Sequence, residues 1–242
     1  MIPKVIHYCW FGRGEKSKLI QKCIKSWKKY CPDYEIIEWN EDNFDINCNK
    51  FVEQAYECKK WAFVSDYARL FILYNYGGIY MDTDVELVKP LDGFLCNKAF
   101  SGFEKKTVIP TGIMASEKEF QLFEYLLQYY DERAFIKSDG DLDTETNVSI
   151  ITKMLGARGF VPNGEYQVID GFAVYPVEYF CPLQQSTGKL NKTHNTVAIH
   201  WFNSSWRPLS ERVRMGITRP FHRIFGEQCF HWILKLFKIS FD

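Results

Sequence analysis

The chain has no excess of charge of either sign: over 242 residues, thirty Lys and Arg balance thirty Asp and Glu. Without net positive charge it has no global field to draw it onto the closely spaced phosphates of a duplex, so nucleic acid is set aside as a partner. It contains no apolar run near the roughly 20 residues that a membrane-spanning helix needs, and no transmembrane anchor is expected in it. Its eight cysteines (Cys9, Cys23, Cys31, Cys48, Cys58, Cys96, Cys181, Cys229) include no C-x-x-C pair, and no signal-like segment precedes them. Reduced thiols in a cytoplasmic protein are expected rather than a disulfide framework. Internal repeats and low-complexity tracts are also missing. These absences leave one compact domain of catalytic size.

What is present alternates in period. Lys4 to Trp10 is a β-rich run that empties into Phe11-Gly12-Arg13-Gly14. From Lys18 to Tyr30 apolar residues recur at helical spacing, Cys31-Pro32 stops them, and Tyr34 to Trp39 forms a second strand. Strand, helix, strand predicts a βαβ start, a parallel sheet and the α/β class. Trp61 to Tyr76 is apolar on most sides and ends at Gly77-Gly78; Ile79-Tyr80-Met81 then delivers Asp82-Thr83-Asp84 to a strand's carboxyl end. Ligands of open α/β sheets bind at such ends. Further on, the patterns predict a strand near Phe100 to Phe103, a helix from Glu117 to Tyr130, a polar loop Ser138 to Thr144 and a helix running to Leu155. Short strands follow at Tyr166 to Ile169, Ala173 to Tyr175 and Thr196 to Ile199, with an aperiodic polar loop from Gln184 to Asn195.

A bare D-x-D is common in acidic surface turns. At a strand end behind Gly-Gly-Ile-Tyr-Met, the Asp82/Asp84 pair instead suits Mg²⁺ or Mn²⁺, which are bound by one or two carboxylates together with phosphate oxygens. A metal there would stabilise a departing diphosphate as it gains charge. Asp66 and Arg69, three residues apart on a buried helix, share one face. Either they form a self-satisfying ion pair, or Asp66 accepts from sugar hydroxyls while Arg69 forks onto sugar or phosphate oxygens. A phosphate-handling hydrolase would use paired carboxylates and Mg²⁺ as well.

Ile6-His7-Tyr8-Cys9-Trp10-Phe11-Gly12, Ser65-Asp66-x-x-Arg69 and Gly77-Gly78-Ile79-Tyr80-x-Asp82-x-Asp84 occur in an order that resembles the DXD sugar-binding glycosyltransferases of family 32. These segments are similar as well to the glucosylating domains of clostridial toxins. The likeness is strongest over residues 2 to 92, with weaker signals at 177–182 and 198–206. It implies a GT-A fold with a Rossmann-like nucleotide-binding sheet, Mn²⁺ or Mg²⁺ dependence and retention of anomeric configuration. It also implies roles: Trp10 stacking on the donor base; Ile6, His7 and Tyr8 lining the nucleotide pocket with Tyr80 and Thr83; Asp84 on the metal; Asp82 on the metal or the ribose. His200 resembles a late metal- or phosphate-proximal residue, and Ser204, Ser205 and Trp206 a segment closing over the diphosphate. Glu178, Asp141 and Asp143 are carboxylates in loops, and no persuasive nucleophile is found. The expected reaction moves a hexose or N-acetylhexosamine from a UDP-sugar to a glycan acceptor, lipid-linked, in surface or capsular polysaccharide synthesis. Alternatives are a protein-modifying, toxin-like glucosyltransferase and a non-catalytic carbohydrate-binding relative.

The expected catalytic domain spans 1–206, and 207–242 is a basic amphipathic helical tail. Seven basic residues stand there against three acidic ones, with Phe221, Ile224, Phe225, Phe230, Ile233, Leu234 and Phe237 as an apolar stripe. That pattern fits an interfacial helix on anionic lipid, a helix packed on the core, or a dimer contact. The first reading places the protein peripherally on the inner face of the plasma membrane.

Overall fold

The computed structural model describes residues 1–105, 107–203, 209–226 and 229. The chain opens with β1 (Val5–Cys9), α1 (Lys18–Tyr30) and β2 (Glu35–Trp39), followed by α2 (Lys50–Glu57), α3 (Trp61–Tyr76) and β3 (Gly78–Met81). Strands β1 and β2 pair in parallel, as do β1 and β3, so the expected βαβ start is observed. Beyond β3 come β4 (Val85–Leu87), a 3-10 turn at Asp92–Phe94, β5 (Ala99–Gly102), β6 (Ile113–Ser116), α4 (Gln121–Asp131) and α5 (Asn147–Gly156). The order closes with β7 (Gln167–Ile169), β8 (Phe172–Tyr175), α6 (Val177–Phe180), β9 (Ala198–His200) and α7 (Leu209–Phe225).

Seven strands form one mixed sheet in the order β2-β1-β3-β6-β5-β8-β7, with antiparallel pairing at β3–β6, β5–β6 and β7–β8. Its inner strands β1, β3, β6, β5 and β8 are buried on both faces, while the edge strands β2 and β7 are partly exposed. One face packs on Val64, Ala68, Ile72 and Phe123 from α3 and α4, the other on Cys23 and Trp27 from α1. Two-sided burial explains the near-continuous apolar runs of the central strands. The class is α/β with helices around the sheet, as expected, though the sheet is mixed rather than purely parallel.

Four elements went unread in the sequence, one of them the four-residue helix α6. Helix α2 is short, and only Phe51, Val52 and Ala55 of it are buried. Strand β6 lies among glycine and proline turns, and β4 is three residues long. Helix α4 also begins later than its pattern suggests, because Glu119 adopts φ +60 and breaks the helical path before Phe120 caps it.

A second, two-stranded sheet matters most for function. Strand β4 pairs antiparallel with β9, Val85 opposite His200. Trp27, fully buried on α1, donates from Nε1 to the Val85 carbonyl at 2.7 Å and fixes this small sheet against the main body. Residues 204–208, 227, 228 and 230–242 lie outside the described residues.

Candidate active site

The carboxyl ends of β2, β1 and β3 lie side by side and carry Asn40, Trp10 and Asp82 in adjacent positions. With strands about 4.8 Å apart, Asn40 and Asp82 are separated by roughly 10 Å. Gly77 and Gly78 make this edge possible. Gly77 ends α3 at φ +66, and at Gly78 (φ +91) a Cβ would sit 2.9 Å from both the His7 ring and the Val5 carbonyl.

Asp82 is held from the α3 side. Its Oδ1 accepts from the Tyr80 hydroxyl at 3.0 Å and lies 3.3 Å from Arg69 Nη1. Arg69 is 4% exposed, and each of its three nitrogens has a partner within the protein. Nε donates to the Ser65 carbonyl at 3.0 Å, Nη1 to the Thr111 carbonyl at 2.8 Å, and Nη2 lies 3.1 Å from Asp66 Oδ1. The guanidinium also lies over the Tyr80 ring, 4.7 Å from its centre. Arg69 thus directs its nitrogens onto the protein itself and positions Asp66 and Asp82, and both carboxylates keep it charged. Burial pushes the Asp66 carboxyl up to about 6, with Arg69 opposing the shift. Asn147, fully buried and not singled out in the sequence, donates to the Asp66 carbonyl at 2.6 Å and accepts from the Tyr130 hydroxyl.

Asp84 is held from the opposite direction. His200 Nε2 lies 3.2 Å from its Oδ1, and the Asn203 amide donates to Oδ2 at 2.7 Å. The Trp201 amide donates to the Asp84 carbonyl at 3.0 Å. Burial works against a charged carboxylate here. His200 and the Asn203 amide outweigh it and hold Asp84 below the usual range. His200 is itself opposed by burial, but Asp84 raises its basicity well above the ordinary value. The ring stacks on Phe202 at 4.2 Å, and a Cβ at Gly112 would lie 2.7 Å from His200 Nδ1. Gly112 thus makes room for the imidazole, and its carbonyl accepts from the Asp82 amide at 2.8 Å. No motif marked Gly112 in the sequence.

Asp82, Asp84 and His200 consequently offer three ligand atoms within 4.8 Å of one another. Two carboxylates and an imidazole fit a hard divalent cation, with the nitrogen leaning toward Mn²⁺ over Mg²⁺. Such an ion would displace the proton that His200 shares with Asp84.

Beside this triad a cleft of about 210 Å³ is lined by Trp10, Arg13, Gly14, Lys16, Glu38, Asn40 and Glu41. Trp10 donates from Nε1 to the Gly14 carbonyl at 2.7 Å, and the Lys16 ammonium sits 5.2 Å from its ring. Tyr8 reaches the cleft wall only through its hydroxyl, which donates to Glu38. Two residues expected to line the pocket lie elsewhere. Ile6 is fully buried in the core with Ile79 and Met81. His7 is 2% exposed: Trp39 Nε1 donates to its Nδ1 at 3.1 Å, so the proton is on Nε2, which donates to the Gly77 carbonyl at 3.1 Å. Both are interior residues of β1 and stay out of the cleft because its successive side chains face opposite sides of a covered sheet. The cleft residues Lys16, Glu38 and Glu41 were missed in the sequence because they belong to no motif.

Thr83 is half-buried between the two aspartates. Ser204, Ser205 and Trp206 lie outside the described residues, although Asn203 brings the chain to the triad just before them. Asp143 pairs with Arg133 at 2.6 Å, and Glu178 accepts from Asn195 at 2.6 Å, so both carboxylates are occupied. Asp141 is exposed.

Comparison with known proteins bears on the same segment. Residues 17–101 match the family described as glycosyltransferase sugar-binding region containing DXD motif. Inositol phosphoceramide mannosyltransferase 1 of Schizosaccharomyces pombe is 31% identical over 41% of this chain and 33% of its own length. Mannosyl phosphorylinositol ceramide synthase CSH1 of Saccharomyces cerevisiae is 31% identical over 51% of this chain and 34% of its own. The chain thus spans about a third of these curated relatives. An uncharacterized glycosyltransferase of Acanthamoeba polyphaga mimivirus, L373, is 25% identical over 86% of this chain and 85% of its own. Among solved structures, the galactosyltransferase LgtC aligns over 89% of this chain and 95% of its own at 12% identity and a TM-score of 0.45.

Proposed function

We propose, from the match of residues 17–101 to the glycosyltransferase sugar-binding region containing the DXD motif, that this chain belongs to that family and transfers a hexose or N-acetylhexosamine from a nucleoside-diphosphate sugar to a glycan acceptor. The observation that carries the reading is the convergence of Asp82, Asp84 and His200 at the sheet edge beside the Trp10 cleft.

In this reading the base stacks on Trp10, and the ribose hydroxyls donate to carboxylates at the end of β2, Glu38 or Glu41. Carboxylates beyond a strand end accept from ribose in other nucleotide-binding sheets. Glu41 has a buried Oε2 with no hydrogen-bond partner among the described residues. Lys16 and Arg13 place positive charge beside the cleft. Asp82, Asp84 and His200 would hold Mn²⁺ or Mg²⁺, which supplies charge stabilisation to the leaving diphosphate. Tyr80 and Arg69 keep Asp82 oriented, and Asn203 and His200 keep Asp84 ionised. Asp66, behind Arg69, is the residue we assign to the sugar hydroxyls. Because Glu178 and Asp143 are occupied elsewhere, we assign no nucleophile. Retention then follows from acceptor attack on the face the diphosphate leaves, with a diphosphate oxygen taking the acceptor proton.

The names of the fungal relatives, an inositol phosphoceramide mannosyltransferase and a mannosyl phosphorylinositol ceramide synthase, favour a mannosyl donor and a lipid-borne acceptor. They lend nothing to the preference for UDP, so both UDP- and GDP-sugars belong in the donor screen. A lipid-borne acceptor fits a peripheral enzyme on the cytoplasmic face of the plasma membrane, engaged in surface polysaccharide synthesis. No helix among the described residues is long and apolar enough to cross a membrane. Helix α7 leaves Val213, Ile217, Phe221, Ile224 and Phe225 exposed in one stripe, which supports the interfacial reading of the tail. It is tied to the body where Arg219 Nε donates to the Gln185 carbonyl at 3.0 Å.

Calorimetry with UDP and GDP in the presence of Mn²⁺ tests the proposal. Binding is expected for one of them, abolished by chelation and by Asp84→Ala. A protein that ignores every nucleoside diphosphate with and without metal overturns it.

A further inference from the structure

Helix α1 carries five lysines in 13 residues and no acidic residue. At 100° per residue, Lys18, Lys22, Lys25 and Lys29 fall within about 60° of one another, a straight row roughly 16 Å long. Ile20, Cys23, Ser26 and Trp27 form the buried face opposite. The row is rigidly presented. Ser26 Oγ accepts from the Leu87 amide at 2.9 Å, and Trp27 is bonded to Val85, so α1 cannot roll on the body. Lys22 pairs with Glu86 at 2.8 Å. Lys18, Lys25, Lys28 and Lys29 are exposed and have no ion-pair partner among the described residues. In a chain of zero net charge this is a concentrated asymmetry.

We propose that the lysine face of α1 is a docking surface for an anionic lipid bilayer. The composition distinguishes this partner from others. Lysine is a compact point charge without the planar fork by which arginine recognises a fixed carboxylate or phosphate. A row of lysines therefore matches a fluid plane of negative headgroups better than a partner with fixed acceptors. Single-stranded nucleic acid would call for a run of open aromatic platforms among the cations, whereas the two rings here, Trp201 under Lys22 and Tyr30 under Lys29, are partly buried and packed on the core. The apolar residues of α1 all face inward, so the contact is electrostatic, without insertion.

The position of α1 gives the contact a consequence. Its amino end follows the cleft residues Arg13, Gly14 and Lys16, and Lys22 lies over the Trp201 ring at 5.2 Å, one residue from His200. Docking through this face holds the donor cleft and the triad close to the bilayer, where a lipid-borne acceptor resides. The docking does not depend on the transferase reading and is tested separately from it.

Co-sedimentation of the full chain with phosphatidylserine–phosphatidylcholine vesicles, against phosphatidylcholine alone, is the experiment. Wild type is expected to bind the anionic vesicles selectively and to be released as salt rises. At about fivefold per lysine, the combined Lys18→Gln, Lys25→Gln, Lys28→Gln, Lys29→Gln variant should bind about 10²–10³-fold more weakly. Arginine at the same four positions should restore binding. None of these residues lines the cleft, so the melting temperature and soluble donor hydrolysis should match wild type. Equal vesicle binding by the glutamine variant, or equal binding to neutral vesicles, overturns the proposal. So does a wild type that binds heparin or duplex RNA and ignores vesicles. Absence of donor hydrolysis in wild type would count against the transferase reading alone.

Discussion

Asp82 and Asp84 are separated by one residue, yet different halves of the molecule hold them. Asp82 is anchored by its own neighbourhood: Tyr80 two residues back, and Arg69 on the helix immediately before its strand. Asp84 is anchored by His200 and Asn203, more than a hundred residues away, through the two-stranded sheet that β4 makes with β9. The first anchor is dry and built from fixed charges. The second is a histidine–carboxylate pair, which in the proposed function would give up its proton to a metal. A substrate-charge site built this way joins a rigid wall to an exchangeable one.

Removing the charge at the centre of the rigid wall should have the largest effect. Arg69→Met would leave a buried Asp66 and a half-buried Asp82 without their cation, and a loss of about 3–5 kcal/mol in denaturant unfolding is expected. If the loss stays under about 1 kcal/mol, the resemblance to an exposed surface pair is the better description. On the exchangeable side, Asp84→Ala should fold but lose about 10²–10³-fold in turnover, the scale for deleting one electrostatic stabiliser of a developing anion. A comparable loss of stability instead of turnover would erase the contrast between the two anchors.

The rigid side also carries an acid sensitivity. Burial lowers His7 to about 4 from its ordinary 6.5. The unfolded chain therefore binds a proton below pH 6.5 that the folded chain refuses until about pH 4, so this contribution to stability is full above pH 6.5 and is lost as pH falls. The loss approaches roughly 3 kcal/mol at pH 4, at 1.36 kcal/mol per pH unit. Asp66, whose raised value acts in the opposite sense, offsets part of it. Melting curves of wild type and His7→Gln from pH 7 to 4 should converge on acidification; parallel curves would remove His7 from the account.

Gly112→Ala sharpens the comparison from the other direction, because its Cβ would press on His200 Nδ1 while leaving both aspartates in place. A stability cost of about 1–3 kcal/mol is expected, with a larger rise in the Mn²⁺ concentration needed for half-maximal activity. The smallest effect is at Tyr80→Phe, which removes one hydrogen bond from Asp82 and should cost about 1 kcal/mol. An unchanged metal requirement in Tyr80→Phe alongside a shifted one in Gly112→Ala would assign metal control to the histidine side.

Much of the rigid side was legible in sequence. The bounds of α3 follow from an apolar pattern on most sides, closed by two glycines of which the first must take positive φ. Asp66, Arg69 and Asp82 are spaced so that one helix turn and one strand bring them together. What could not be read was the direction in which Arg69 faces: its Nη1 turns to the Thr111 carbonyl, 42 residues away, a pairing that no local spacing encodes. Ile6 and His7 do not line the Trp10 cleft for a related reason. A motif marks a segment, whereas strand alternation and the layer above the sheet decide which of its side chains reach a cleft.

The exchangeable side was legible only through likeness to a family. A histidine behind a short apolar run carries no signal of its own, and β4 and β9 are three residues each, too short for any periodicity. The amino-acid sequence by itself determined the βαβ start, the buried helix before the glycines, and the delivery of two carboxylates to a strand end, because all three rest on local periodicity and turn chemistry. The tertiary structure alone decided that His200 meets Asp84, that Gly112 makes room for it, and that Glu38 and Glu41 wall the cleft. Those are long-range pairings, set by how the small sheet packs on α1 and how three parallel strands align their ends, and no window of neighbouring residues encodes them.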